Sequence, residues 1–216
     1  MGCGRRGPRP AKRPVAGALA VGLSVVWLGA CSSAPPTDPV ERARQSKQLY
    51  QEGVNLFNAG ELDGAIARLN DAARLQPTWS LLRYDLGRLL VVRAQRSSVA
   101  SLQAEMRART ARQEGQAKEA ERLLEESRTL HERTLADLRA AQGHLLYALD
   151  RMPWEPNVYY YLAQVHVGLG EFARAKSYLE EAIDKAGQHG AMSHNLEQAL
   201  RRLEQYAQAQ ERGLRP

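Results

Sequence analysis

Residues 46–79 read SKQLYQEGVNLFNAGELDGAIARLNDAARLQPTW, and this stretch decides the fold. Apolar residues recur at spacings of three and four on both sides of Gly60, a pattern typical of two amphipathic helices joined by a tight turn. Gly53 falls where the two helices would cross, because paired helices approach to about 8–10 Å only where side chains are small. Pro77 ends the second helix. The stretch therefore predicts a helix–turn–helix unit.

The same pattern returns in residues 156–189, which read PNVYYYLAQVHVGLGEFARAKSYLEEAIDKAGQH. Gly187 provides a helix stop where the first unit has Pro77. Both stretches resemble the tetratricopeptide repeat (TPR), and the resemblance implies an all-α fold, a short TPR solenoid of about three helix–turn–helix repeats. Residues 191–209 carry Met192, Leu196, Leu200 and Leu203 at helical spacing in a polar sequence, and they predict a capping helix over the last apolar face.

The second repeat, residues 80–155, is interrupted. Its first helix reads SLLRYDLGRLLVVR over residues 80–93, and its second helix begins at Leu138 with LRAAQGHLLYALDRMP. In an uninterrupted repeat the residue matching Leu138 would stand at position 96, so 138 minus 96 gives an insertion of 42 residues between the two helices.

The insertion, at about residues 95–137, predicts a long helical hairpin that turns at Gly115 and projects about 30 Å from the repeats. Its seam is predicted from apolar spacing, with Val99, Leu102 and Met106 on the first arm. The second arm contributes Ala120, Leu123, Ser127, Leu130, Thr134 and Leu138. The hairpin is either a structural spacer or an arm that docks a partner.

The N-terminus predicts a targeting segment. Residues 1–30 combine five basic residues with an apolar stretch from Val15 to Ala30, which is too short for a strong membrane anchor. The sequence Leu28-Gly29-Ala30-Cys31 resembles the bacterial lipoprotein box, which implies lipidation of Cys31 after removal of residues 1–30 as a signal peptide. An ordinary secreted protein is the alternative. Residues 31–44 predict a Ser/Pro tether, with the TPR domain over residues 45–211.

Charge and residue types exclude several function classes. The net charge is +6, but five of the 30 basic residues lie in residues 1–30, which contain no acid. The rest of the chain therefore has 25 basic residues and 24 acidic ones, and it is almost neutral. A nucleic-acid partner is therefore not expected. The five histidines form no metal-ligand pattern, and no phosphate loop or nucleophile motif occurs. We expect no enzyme activity, catalytic residue, metal, cofactor or small-molecule substrate.

The TPR resemblance also implies a concave groove lined by the first helix of each repeat, where a protein or peptide partner would bind. The groove would be aromatic and mostly uncharged, with one arginine at its centre. The alternative is that these aromatic residues only stabilise the repeats. The Lys/Asn/Arg clamp for C-terminal carboxylates is absent. The predicted groove residues are Tyr50, Val54, Phe57, Tyr84, Arg88, Val91, Tyr160, Gln164 and Val167.

These features together predict a membrane-anchored lipoprotein that acts as a non-catalytic TPR adaptor in the bacterial cell envelope. Ser32 after Cys31 favours the outer membrane, facing the periplasm. The resemblance extends to pilotins, outer-membrane assembly lipoproteins and adaptors of peptidoglycan hydrolases. The alternatives are an envelope protein that self-associates through its coiled hairpin and an accessory subunit of a hydrolase.

Overall fold

The described part of the chain consists of helices joined by short turns. The computed structural model describes residues 38–187 and 191–211, with side chains through residue 209, and no strand occurs among them. The predicted signal peptide, Cys31 and the tether up to residue 37 lie outside the described residues. No helix in the described ranges is both long and apolar enough to span a membrane. The helices are α1 (Pro39–Asn58), α2 (Leu62–Leu75), α3 (Ser80–Gln113), α4 (Ala117–Arg151), α5 (Pro156–Gly168), α6 (Phe172–Ala186) and α7 (Ala191–Glu211).

Consecutive helices pack as antiparallel pairs: α1 with α2, α3 with α4, and α5 with α6, while α7 covers α6. In the first pair, the Ser46 hydroxyl on α1 donates to the Ala72 carbonyl near the end of α2 at 3.0 Å. One apolar core runs from α2 to α5, and a second core joins α5, α6 and α7. The predicted all-α TPR solenoid is confirmed, including its capping helix and the hairpin within repeat two.

Glycine permits the closest approach within the first two pairs. A Cβ atom on Gly53 would collide with Leu69, and a Cβ on Gly87 would stand 2.7 Å from Leu145 Cγ. Carbon atoms in contact prefer about 3.5–4.0 Å, so a larger residue would push these helices apart. Both glycines therefore fix the helix spacing, as the sequence predicts for Gly53.

Helices α3 and α4 continue beyond the core as the predicted hairpin. They are 34 and 35 residues long, which corresponds to about 50 Å each. Gly115 makes the turn between them with a φ of +77°, a left-handed conformation that favours glycine.

The seam on the α3 arm differs from the prediction. Val99, Leu102 and Met106 are 57%, 58% and 60% exposed, so the prediction that they form the seam is wrong. The two arms instead pack through small side chains, which let the helices lie close together. For example, the Ser101 hydroxyl donates to the Ser127 carbonyl at 3.0 Å. The buried seam residues of α3 are Ser97, Ser101, Ala104, Ala108 and Ala111.

The α4 arm follows the prediction more closely. Five of its six predicted seam residues are buried, and Leu130 is partly buried. The five are Ala120, Leu123, Ser127, Thr134 and Leu138. Small residues therefore form most of the seam on α4 as well, and Leu123 shares a buried apolar cluster with Ala108 and Ala111 of α3.

An ionic cluster fixes the base of the hairpin. The Arg93 guanidinium donates to both carboxylate oxygens of Asp137, from Nη2 at 2.6 Å and from Nε at 2.8 Å. Arg93 and Arg133 also donate to Asp63 at the start of α2, at 2.9 and 2.6 Å. The hydrogen bond from Arg93 is the main reason that the pKa of Asp63 is lowered. The cluster thus ties both arms to the first repeat.

The first helix begins earlier than predicted. Residues 39–44 belong to α1, so the prediction that the tether extends to residue 44 is wrong. Asp38 caps the helix by accepting a hydrogen bond from the Val40 amide at 3.1 Å. Pro39 occupies the first turn, where a proline needs no donor, and Glu41 complements the helix dipole. The Ser/Pro composition concealed this N-terminal start signal.

Candidate partner-binding groove

Helices α1, α3 and α5, the first helix of each pair, carry all nine predicted groove residues. Contacts between side chains join these helices into one surface. Eight of the nine residues are partly exposed or exposed, which leaves them accessible. Val91 is the exception, because it is 1% exposed and belongs to the core that joins α2 to α5. The prediction of Val91 as a groove residue is wrong.

The centre of the groove is an ion pair between Asp85 and Arg88 on α3. Arg88 Nη2 lies 3.1 Å from Asp85 Oδ1, and the Tyr50 hydroxyl on α1 donates to Asp85 Oδ2 at 2.7 Å. The Arg88 guanidinium also lies over the Phe57 ring, 5.2 Å from its centroid. The charge of Arg88 is therefore balanced within the chain, and the groove is closer to neutral than the sequence suggests.

Aromatic rings extend the surface on both sides of this ion pair. Tyr50 contacts Trp79 with centroids 4.8 Å apart. On the other side, Tyr84 and Tyr160 both contact Tyr161 edge to face, at 6.0 and 5.4 Å. Such edge-to-face pairs fix ring orientations. The result is an aromatic surface that crosses from α1 over α3 to α5.

Burial raises the pKa of three tyrosine hydroxyls in the groove. Desolvation raises the pKa of Tyr50 to about 12, and the hydrogen bond to Asp85 adds to this effect. Desolvation also raises the pKa of Tyr84 and of Tyr161. All three phenols are therefore neutral at physiological pH.

A cavity of about 510 Å³ lies at the α5 end of the groove. Gln95 Nε2 on α3 donates to Gln164 Oε1 on α5 at 2.6 Å along its edge. Val167 on α5 is 39% exposed there. Most of the remaining lining is apolar and comes from α5, α6 and α7. The lining residues are Gln95, Tyr160, Ala163, Gln164, Val167, Leu179, Ala199, Arg202, Leu203 and Tyr206. A cavity of this kind can accept an apolar side chain from a bound segment.

Sequence reasoning missed three groups in this surface: Asp85, Tyr161 and Gln95. Asp85 lies three residues before Arg88, a spacing that signals a helical ion pair. Tyr161 directly follows a predicted groove tyrosine, but a strict repeat spacing assigns only one residue per turn to the groove. Gln95 falls within the predicted insertion, and its position beside α5 depends on how the helices cross.

The described residues offer no alternative metal site. No group of three or more His, Cys, Asp or Glu side chains in residues 38–187 and 191–209 could hold a metal ion. The buried His166 is bonded to Glu171, at 2.7 Å, and stacked on Tyr178. These contacts explain His166 as a packed side chain between α5 and α6.

Comparisons with known proteins give limited similarity. No protein-family model matches the chain, and no curated protein matches it. Among solved structures, the chain is similar to a MamA RS-1 ArsTM double mutant, at 19% identity over 69% of this chain and 86% of that chain, with a TM-score of 0.26. It is also similar to MamA 41-end from Desulfovibrio magneticus RS-1, at 13% identity over 77% of this chain and 97% of that chain, with a TM-score of 0.26.

Proposed function

We propose that this chain is a lipid-anchored, non-catalytic adaptor that binds a protein segment in the groove formed by α1, α3 and α5. The observation that carries the proposal is the continuous aromatic surface, neutral at its centre and open at the cavity beside Val167. An extended or helical segment with an apolar or aromatic side chain suits such a surface, because its ring faces and hydroxyl groups are already oriented.

The same proposal places the chain in the bacterial cell envelope. Its support is the sequence ending in Leu28-Gly29-Ala30-Cys31 after a basic and an apolar segment. Lipidation at Cys31 would hold the TPR domain at a membrane surface, and Ser32 favours the periplasmic face of the outer membrane. The adaptor would then serve an envelope assembly machine of the pilotin, outer-membrane assembly or hydrolase-adaptor kind.

A matched pair of variants tests the groove. Val167→Asp places a charge at the cavity, and Leu146→Asp places the same charge on α4 at an apolar residue of similar exposure, 42% against 39%. Both chains are crosslinked in intact cells, purified under denaturing conditions and analysed for bound proteins. We expect Val167→Asp to lose a partner that Leu146→Asp keeps. If the two variants retain the same partners in equal amounts, the groove is not the binding site.

The anchor is tested separately with Cys31→Ala. We expect the wild-type chain to fractionate with membranes after alkaline washing and to incorporate labelled palmitate, whereas the variant should incorporate none. Palmitate labelling that persists in the variant would contradict lipidation at Cys31.

A further inference from the structure

The outer face of the α3 arm carries three large apolar side chains that nothing in the described chain covers. Val99, Leu102 and Met106 are each more than half exposed. Their spacing of three and four residues places them on one stripe of the helix. The buried seam residues Ser101 and Ala104 lie on the opposite side, so the stripe points away from α4.

This stripe continues the groove. Helix α3 is uninterrupted from Ser80 to Gln113. Arg88, Gln95 and Val99 follow each other at spacings of seven and four residues, so they share the face that carries the stripe. Gln95 lines the cavity beside α5. The stripe therefore begins one helical turn beyond the cavity.

The surroundings of the stripe are basic. Between Gln95 and Gln113 the helix carries four arginines and one acid, Glu105. Arg96 and Arg109, near the two ends of the stripe, are exposed, and neither forms an ion pair with another residue of the described ranges. Glu105 is turned toward α4 and accepts a hydrogen bond from the Ser127 hydroxyl at 3.2 Å. The stripe thus has positive charges at its ends without local compensation.

We propose that the outer face of the α3 arm binds an amphipathic helix with acidic flanks from a partner protein. The partner's apolar side chains would cover Val99, Leu102 and Met106, and its carboxylates would pair with Arg96 and Arg109. The stripe with its two arginines is about 20 Å long, which a partner helix of about four turns covers. The inference rests on the proposed adaptor function and specifies the class of its partner.

Charge selects this occupant over a second copy of the chain. If two α3 arms paired in antiparallel fashion about Leu102, Arg96 of one copy would face Arg109 of the other. In a parallel pair, each arginine would face its own counterpart. Arginines that face each other destabilise helix pairing, whereas glutamates of a partner helix opposite Arg96 and Arg109 would stabilise it.

Peptide binding to the full chain, held in phosphatidylcholine nanodiscs, tests the proposal. The probe is a labelled 21-residue amphipathic peptide with leucine on one stripe and glutamate on both flanks, and a second peptide carries lysine in place of glutamate. Empty nanodiscs provide the blank for fluorescence anisotropy. We expect the glutamate peptide to bind at least tenfold more tightly than the lysine peptide.

Three variants locate the binding. We expect the double variant Leu102→Asp with Met106→Asp to weaken binding of the glutamate peptide at least tenfold. We expect the double variant Arg96→Glu with Arg109→Glu to bind the lysine peptide more tightly than the glutamate peptide. The control is Arg112→Glu, on the same helix but beside α4, which should change binding less than twofold. Circular dichroism verifies that the helical content of each variant is unchanged, as the exposure of these residues requires.

Several results would overturn the proposal. One is equal binding of the two peptides, or binding of the glutamate peptide that Leu102→Asp with Met106→Asp does not weaken. Another is a dimer in detergent that these substitutions dissociate, which assigns the stripe to a second copy. A third is binding to phosphatidylglycerol vesicles that depends on Leu102 in the absence of peptide binding. The groove proposal survives each of these if Val167→Asp still loses its crosslinked partner, so the two failures are distinguishable.

Discussion

Replacing Gly87 by alanine should destabilise the protein, although alanine is the better helix former. In a helix interior alanine is favoured over glycine by about 1 kcal/mol. The new methyl group, however, would stand 2.7 Å from Leu145 Cγ, 3.0 Å from Leu145 Cδ2 and 3.3 Å from the Ala141 carbonyl oxygen. Overpacking of this kind costs about 1–3 kcal/mol.

The upper part of that range applies, because the nearest atom is the branch carbon of a fully buried leucine and the backbone of α4 lies behind it. We therefore expect a net loss of about 1–2 kcal/mol in the free energy of unfolding. The matched control is Gly143→Ala on α4, whose Cβ would meet no atom within 4 Å. That substitution should gain up to about 1 kcal/mol.

Urea unfolding of the two variants, followed by circular dichroism, measures both free energies. The Leu145→Ala background adds a test of the cause. Leu145→Ala alone should cost about 2–5 kcal/mol, but Gly87→Ala in that background should no longer destabilise, because the space that it needs is free. If Gly87→Ala stabilises the protein as much as Gly143→Ala does, the close crossing of α3 and α4 is not as described.

Two further predictions concern buried and half-buried charges. Arg93→Met should lower the free energy of unfolding by about 3 kcal/mol, because it leaves Asp137 buried without its partner. Asp63→Asn should cost less than about 1 kcal/mol, because the Asp63 side chain is 70% exposed. Urea unfolding of both variants tests this difference, and equal costs would contradict it. Burial, with a smaller contribution from Arg83, lowers the pKa of His144 from 6.5 to about 4, so between these pH values the unfolded chain binds a proton that the folded chain does not. The contribution of neutral His144 to the free energy of unfolding should therefore be fully present above pH 6.5 and be lost as the pH falls toward 4. Between these pH values the free energy of unfolding should fall by more in the wild type than in His144→Gln, and parallel pH profiles of this free energy in the two proteins would refute the prediction.

The repeat architecture was predictable because its signals are local. Glycine at the crossings and turns, proline at the boundaries and apolar residues at helical spacing each have one physical cause, and they recur in two uninterrupted repeats. The displaced half of repeat two could be found because the apolar pattern of the repeat resumes in register at Leu138. Gly115 located the turn of the hairpin, since no other glycine or proline interrupts the two arms.

The hairpin seam was not predictable by the same rule, because hydrophobicity alone selects the largest side chains. Two helices that lie close together exclude such side chains, so Ala104 and Ala108 are buried and Leu102 is exposed. The prediction of Val91 as a groove residue failed for a different reason. It is buried in the core between α2 and α5, whereas its counterpart Val167 lies near the end of the shorter α5 and stays exposed. Only the neighbouring helices distinguish the two positions.

The small-residue seam of the hairpin also determines which changes in length the chain can accept. Its buried positions on α3 follow a seven-residue period, from Ser97 to Ala104 and Ala111. Loss of seven residues from each arm would shorten the hairpin by about 10 Å and keep every remaining seam residue facing its partner helix. Loss of one residue from one arm would rotate everything beyond it by about 100° and expose the seam. The length of the hairpin can therefore change in steps of seven residues per arm, about two helical turns, without loss of the seam.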